Sequence, residues 1–148
     1  MEEKNKGGRP PFFNTVEEIQ EKIDAYFEAC EGTIMYDSEG NPLTNKYGEV
    51  VVYGAKPPTI TGLALALGFN SRQALLNYQA KEKFHDTIMR AKARVERYAE
   101  ERLFDKDGAN GAKFSLANNF KGWSEKQVID ANVNSVNINI ELTEDDEE

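Results

Sequence analysis

The side chains best suited to chemistry in this sequence are hydrogen-bonding groups that follow a glycine turn. Ser71, Arg72 and Gln73 begin a predicted helix, and Asn77 lies one turn further along it. Arginine and the amides of Asn and Gln donate and accept hydrogen bonds at base edges in the DNA major groove. In a helix-turn-helix, the first residues of the second helix face those edges. The pattern therefore predicts base contacts by these four side chains.

The elements that position these side chains are two short helices and a turn, predicted over residues 59–81. Thr59 can cap the first helix, and Gly68 can take the positive φ that ends it. The expected buried face consists of Leu63, Leu67, either Leu65 or Ala66, and, in the second helix, Leu75 with Leu76. Helical hairpins that contact no nucleic acid share this pattern, so a hairpin that serves only core packing stays open as an alternative.

A longer helix is predicted over residues 81–104. Its apolar residues recur alternately four and three apart, which is a heptad seam of Phe84, Ile88, Ala91, Val95 and Tyr98. So short a seam packs either on the core of its own chain or against a neighbouring subunit. We assign Phe84, Ile88 and Val95 to contacts between subunits. Four cations share a different face of this helix, and we assign them to DNA contact: Lys83, Arg90, Arg94 and Arg97. The alternative is a mixed-charge face that contacts only solvent.

The charge distribution separates the middle of the chain from its ends. Residues 56–106 carry ten basic and six acidic side chains, residues 1–55 carry five and eleven, and residues 107–148 carry three and nine. The middle segment is therefore net +4, although the whole chain has a formal net charge of -8. A local basic surface suits contact with DNA phosphates, because whole-chain charge acts mainly on solubility and long-range steering.

Other classes of function find little support in the sequence. No stretch of about 18 apolar residues is present, so no membrane partner is expected. The polar N-terminus does not match a secretory signal, and we expect a cytoplasmic protein. The single cysteine and single histidine, Cys30 and His85, predict neither a disulfide nor a zinc site. Without a glycine-rich phosphate loop ending in Gly-Lys-Ser/Thr, we expect no ATP hydrolysis, no catalytic residue and no cofactor.

The expected fold is mainly α with a small β component, in a helical core over residues 14–123. A flexible arm is predicted over residues 1–13, and a β-hairpin insertion over residues 32–54 is predicted from β-prone ends around two turns. In residues 124–143, Val136, Ile138, Ile140 and Leu142 alternate with polar residues, which predicts a strand with one apolar face. A lone strand must pair with the hairpin, a partner or copies of itself, and we assign these four residues to oligomerisation. Residues 144–148 form an acidic tail.

Several separated motifs, in order along residues 8–126, resemble the small subunit of tailed-bacteriophage terminases. They are Gly8-Arg-Pro, Tyr26-Phe-Glu-Ala-Cys30, Pro58-Thr-Ile-Thr-Gly-Leu-Ala-Leu-Ala-Leu-Gly68, Ser71-Arg-Gln, Ile88-Met-Arg-Ala-Lys-Ala-Arg-Val-Glu96 and Phe114-Ser-Leu-Ala-Asn-Asn-Phe-Lys-Gly-Trp123. The resemblance implies a non-catalytic ring that recognises the packaging site on double-stranded viral DNA in the host bacterial cytoplasm. It also implies delivery of that DNA to the terminase large subunit, which holds the ATPase and nuclease, and we assign the acidic tail to that partner.

Two other functions fit parts of the same pattern. A phage transcription regulator would use the helix-turn-helix as a dimer on a palindromic operator. A purely structural assembly protein would use residues 71–77 only for packing.

Overall fold

The computed structural model describes residues 12–124 of the chain. Within that range it contains five helices, which are α1 (Val16–Glu31), α2 (Ile60–Ala66), α3 (Arg72–Gln79), α4 (Glu82–Arg102) and α5 (Ala109–Asn119). One antiparallel pair, β1 (Thr33–Ile34) and β2 (Val52–Tyr53), lies between α1 and α2. The expected mainly α fold with a small β component is confirmed. No helix among these residues has the length and apolar character needed to cross a bilayer.

Some of the predicted segments lie outside the described residues. These are most of the N-terminal arm, the C-terminal strand with Val136, Ile138, Ile140 and Leu142, and the acidic tail over residues 144–148.

Helix α1 begins with a reciprocal cap. The Thr15 hydroxyl accepts a hydrogen bond from the Glu18 amide at 3.2 Å, and a Glu18 carboxylate oxygen accepts one from the Asn14 amide at 2.9 Å. Two backbone amides that have no acceptor within the helix gain a side-chain acceptor in this way. The buried face of α1 consists of Ile19, Ile23, Tyr26, Phe27 and Cys30.

Helix α4 supplies the centre of the core and contacts α1, α3 and α5. Its buried face consists of Phe84, Ile88, Ala91, Val95 and Ala99. The assignment of Phe84, Ile88 and Val95 to contacts between subunits is corrected here, because all three are buried in the core of a single chain. A heptad seam is equally suited to a partner helix and to the chain's own α1 and α3, and here the intrachain helices cover it.

The predicted flexible arm extends two residues too far along the chain. Phe13 is 3% exposed and packs edge-on against Phe69 and Tyr78, with ring centroids 6.1 and 5.8 Å away. Phe12 lies 5.4 Å from Phe69, measured between ring centroids. Burial of aromatic surface outweighs the cost of ordering this segment, so residues 12 and 13 belong to the packed body.

The predicted insertion forms a three-way junction of short β-ribbons. β1 and β2 pair with Thr33 opposite Tyr53 and Ile34 opposite Val52. Beyond them the amides and carbonyls of three residues form a cycle: Met35 donates to Val51 at 3.0 Å, Val51 to Leu43 at 2.8 Å, and Leu43 to Met35 at 2.8 Å. The strands are shorter than the predicted runs 33–36 and 50–53, because the chain leaves the first pairing at this junction to form two further ribbons.

The two outer ribbons of the junction end in turns of the same design, eight residues apart. One Asp37 carboxylate oxygen accepts hydrogen bonds from the amides of Glu39 and Asn41, at 2.8 and 2.9 Å. The Asn45 side-chain oxygen does the same for Tyr47 and Glu49, at 2.9 and 3.0 Å. Side chains of this kind stabilise turns by replacing a backbone acceptor.

We call residues 33–54 the β-protrusion, because it projects from the helical body. No residue between 33 and 57 is buried. The two ends of the protrusion meet where the Lys56 amide donates to the Cys30 carbonyl at 2.9 Å. The helical core therefore forms without any side chain from this segment.

Candidate nucleic-acid interface

Helices α2 and α3 and the turn between them form a hairpin at the predicted position. The Thr59 hydroxyl caps α2 by accepting from the Gly62 amide at 2.9 Å, and the Ser71 hydroxyl caps α3 by accepting from the Ala74 amide at 3.2 Å. Gly68, with φ of +86°, ends α2 in the left-handed conformation that other residues avoid. The direction of α3 is thus defined by a cap at its start and a glycine turn before it.

The packing of this hairpin confirms part of the expected buried face. Leu63 and Leu67 are buried, whereas Leu65 and Ala66, one of which was expected to be buried, are both exposed. The prediction for the second helix is wrong in one residue, because Leu75 is buried but Leu76 is exposed. Tyr78, three residues after Leu75, occupies the buried position instead.

The four predicted base-contacting residues are all exposed, and three of them carry their hydrogen-bonding groups on α3 itself. The Gln73 side-chain amide donates to the Asn77 side-chain oxygen at 3.0 Å, so the two side chains lie together one turn apart. Arg72 precedes them at the first position of the helix. Ser71 differs, because its hydroxyl is used as the helix cap. The structure therefore exposes Arg72, Gln73 and Asn77 on α3, with Gln73 and Asn77 in contact and Arg72 about 100° around the helix from Gln73.

Two lysines that sequence reasoning missed lie near Arg72 or near each other, and Lys92 connects them. The pKa of Lys92 is lowered, first by partial burial and then by the positive charge of Arg72, with a smaller contribution from Lys121, while the Glu96 carboxylate acts in the opposite direction. The Lys92 ammonium donates to the Gln79 side-chain oxygen at 3.0 Å, which holds it beside the end of α3. These three cations form the group that we call the α3 cation cluster: Arg72, Lys92 and Lys121.

No sequence signal at Lys92 or Lys121 pointed to this cluster. Lys92 lies about 160° around α4 from Arg90, so it falls outside the predicted stripe. Lys121 lies beyond the end of α5. Only the packing of α4 against α3 brings Lys92 to the hairpin.

The predicted basic stripe on α4 lies along α1 rather than along α3. The Arg94 guanidinium forms an ion pair with Asp24 at 3.2 Å, and its carbon lies 3.8 Å from the centre of the Phe27 ring. The Lys83 ammonium donates to the Asn14 carbonyl. Both partners belong to α1 or to the residues that lead into it.

Carboxylates partly neutralise this stripe. Arg97 pairs with Glu101, one turn further along α4, at 3.5 Å. Arg90 lines a cleft between α1 and α4 together with Asp24 and Asp86. The predicted DNA-binding residues therefore divide between two surfaces, with exposed hydrogen-bonding side chains on α3 and partly paired cations beside α1.

A family comparison decides which class of protein this is. The model of the family described as DNA-packaging protein gp3 matches residues 8–129, which is most of the chain. The chain belongs to the DNA-packaging protein gp3 family. No curated protein and no solved structure matches it. The gp3 family match supports a role in viral DNA packaging, and it includes both the α3 face and the stripe.

The described part of this gp3-family protein holds no cluster of His, Cys, Asp or Glu arranged to bind a metal ion. Cys30 is buried and reduced at the end of α1. His85 places its Nδ1 atom 3.0 Å from the Gln79 carbonyl. Both residues have structural surroundings, and neither adjoins the exposed α3 side chains in the contacts described.

Proposed function

We propose that this gp3-family protein is a terminase small subunit, which recognises the packaging site on phage DNA and brings it to the large ATPase and nuclease subunit. The observation that carries the proposal is the outward face of α3, where Arg72, Gln73 and Asn77 lie beside two further cations. In this proposal the protein is non-catalytic, forms a ring of identical copies, and acts in the cytoplasm of the host bacterium.

The α3 face offers the groups that both kinds of DNA contact require. Arg72 can form two hydrogen bonds to a guanine edge, and Gln73 or Asn77 can do so with adenine. Lys92 and Lys121 supply positive charge for the phosphates on either side of the groove. A phosphate near Lys92 would favour the charged form of this side chain and so raise its pKa, which counteracts the effect of burial.

We assign the stripe on α4 a weaker electrostatic role. Lys83, Arg90, Arg94 and Arg97 add positive charge, but nearby carboxylates reduce it and α1 occupies part of their surface. Their contribution is therefore expected to depend little on base sequence.

The test is a double variant, Arg72→Ala with Gln73→Ala, whose binding to duplex DNA from the phage packaging region is compared with binding to a scrambled duplex. We expect the preference for the packaging duplex to fall by at least about tenfold, because each lost bidentate pair is worth about 1–3 kcal/mol. The matched control is Gln20→Ala with Arg97→Ala, an exposed Gln and Arg on the other face. Unchanged preference in the first variant would place recognition elsewhere on the protein.

A separate measurement addresses the assembly. Native mass spectrometry of the unmodified chain is expected to give a discrete species of many subunits, whereas a stable dimer would favour an operator-binding regulator. Changing Ile138 and Ile140 to Asp is expected to lower that mass, because a charged residue at a buried contact is costly. An unchanged mass would remove the C-terminal segment from the assembly contacts.

A further inference from the structure

The β-protrusion exposes an unusual amount of apolar surface. Nine large hydrophobic residues within it are exposed: Ile34, Met35, Tyr36, Leu43, Tyr47, Val50, Val51, Val52 and Tyr53. They all lie within a segment of which no residue is buried. Single exposed apolar residues are ordinary, but nine large ones concentrated in one short projecting segment indicate a contact with another molecule.

The protrusion also lacks the packing that would make it stable alone. β1 and β2 are two residues each, and the two outer ribbons are held by isolated bridges, Tyr36 with Pro42 and Thr44 with Val50. Two-stranded ribbons are marginally stable in water unless one face is covered. The hydrogen bonds of the junction define its shape, but the apolar side chains still need a surface to pack against.

The exposed area is sufficient for a stable protein interface. Tyr36, Tyr47 and Tyr53 are 56%, 75% and 73% exposed. These rings alone present on the order of 400 Å². One partner contributes about 800 Å² to a standard interface, and the five aliphatic residues and Met35 of the protrusion add to the tyrosines.

Charge indicates which surface covers it. The protrusion carries the carboxylates Asp37, Glu39 and Glu49 and one cation, Lys46, which gives a net charge of -2. Across its described residues the helical body is balanced in charge, because the excess of carboxylates on α1 offsets the segment over residues 56–106, which has ten basic and six acidic side chains and is net +4. The basic segment of another copy's helical body is therefore a better electrostatic partner for the protrusion than a second protrusion, which would repel it.

We propose that the β-protrusion of each copy packs on the helical body of the next copy. A contact between two different surfaces of identical chains runs head to tail, and it closes into a ring when the rotation between copies allows. This inference rests on the proposed homo-oligomer, for which it names the contact surface. Recognition of DNA by α3 does not depend on it.

The experiment is excision of the protrusion, with two glycines in place of residues 33–54. The chain tolerates this change because the Cys30 carbonyl and the Lys56 amide are already 2.9 Å apart and the buried core contains no residue from the segment. We expect native mass spectrometry to show loss of the multi-subunit species, while far-ultraviolet circular dichroism retains the helical signal. An unchanged mass, or a monomeric unmodified protein at micromolar concentration, would overturn the proposal.

Point variants test the same surface without excision. Tyr47→Ser with Tyr53→Ser is expected to weaken the assembly at least tenfold in its dissociation constant, and Lys46→Ser in the same loop is expected to change it little. Phe114→Ser is a control for apolar exposure, since Phe114 on α5 is as exposed as Tyr53, at 73%. Equal weakening by Phe114→Ser would contradict a contact specific to the protrusion.

Duplex binding by the excised protein separates this proposal from the proposed function. Retained preference for the packaging duplex with a lower mass supports both proposals. If the excised protein keeps the mass of the unmodified assembly, the proposed contact surface is overturned. The proposed function stays intact in that case if DNA recognition is lost only in the Arg72 and Gln73 double variant.

Discussion

The Tyr78 hydroxyl binds both main-chain polar groups of Phe13. It accepts a hydrogen bond from the Phe13 amide at 3.0 Å and donates one to the Phe13 carbonyl at 3.3 Å. Both residues are buried, so neither backbone group has water as a substitute partner. This clamp joins the segment before α1 to the inner face of α3, on the side opposite Gln73 and Asn77.

Tyr78→Phe keeps the aromatic packing and removes only the clamp. We expect the free energy of unfolding to fall by about 1–3 kcal/mol, because a buried amide and a buried carbonyl lose their partner. Urea denaturation measures the change. Tyr53→Phe, on an exposed ring, is the control and should alter stability by less than about 0.5 kcal/mol. Equal effects of the two substitutions would show that the clamp contributes nothing.

Lys92→Gln tests the α3 cation cluster. We expect weaker binding to any duplex, and a salt dependence whose slope falls by about 1, as for the loss of one phosphate contact. The preference for the packaging duplex should persist, since a phosphate contact carries no base information. Fluorescence anisotropy over a salt series gives both quantities. Arg97→Gln, on the stripe beside α1, should change the slope less, and the reverse order would make the stripe the main phosphate contact.

Much of the fold could be predicted because local signals and packing agree. The Thr15 and Glu18 cap, the length of α4 and the Gly68 turn each depend on residues close in sequence. The heptad seam was ambiguous, because period alone does not say whether Ile88 meets a helix of its own chain or of another. Phe13 was misplaced for a related reason, since its partner Tyr78 lies 65 residues away.

The candidate site shows the same limit. The exposure of Arg72, Gln73 and Asn77 follows from a cap and a helical period, which are local, although Leu76 was expected to be buried and is exposed. Lys92 enters the site only through the packing of α4 on α3, and the stripe turns towards α1 for the same reason. Single-sequence periodicity assigns a side chain to a face of its helix but not to the neighbour that the face meets.

Ile88→Ala distinguishes a core role from a role between subunits. Ile88 is fully buried, and its truncation is expected to lower the free energy of unfolding by about 2–5 kcal/mol. Under conditions where the variant is folded, native mass spectrometry should give the same assembly as the unmodified chain. Leu65→Ala, at an exposed position of α2, is the control for loss of a similar side chain. An altered assembly with unchanged stability would restore the assignment to a subunit contact.

Acid should loosen one turn of the β-protrusion and leave the other intact. The pKa of Asp37 is lowered from 3.8, chiefly by the hydrogen bond from the Asn41 amide. A lowered folded pKa means that the charged carboxylate stabilises the turn above the ordinary value and that this contribution is lost as the pH falls through the folded pKa. Amide chemical shifts of Glu39 and Asn41 should move in that acidic range.

The second turn provides an internal control for this titration, because Asn45 performs the role of Asp37 without a titrating group. The Tyr47 amide is therefore expected to respond little, and Asp37→Asn should abolish the response at Asn41. Equal shifts in both turns would indicate general acid unfolding of the protrusion.

Two glycine substitutions test the contact between α1 and α2. The Tyr26 hydroxyl accepts from the Thr59 amide at 2.9 Å and lies 3.2 Å from the Thr59 carbonyl. A Cβ at Gly62 would overlap this hydroxyl and lie 2.8 Å from the Thr59 hydroxyl. Gly62→Ala is therefore expected to destabilise the protein by about 1–3 kcal/mol, although alanine favours a helix by up to about 1 kcal/mol.

Gly111→Ala is the matched control, since Gly111 also lies in the first turn of a helix but has no atom within 4 Å of the added Cβ. There the helix propensity of alanine acts without a clash, and we expect stability to rise by up to about 1 kcal/mol. Thermal denaturation of both variants gives the comparison. A gain at Gly62 as large as that at Gly111 would mean that Tyr26 can move without loss, and that its hydrogen bonds to Thr59 do not hold α2 against α1.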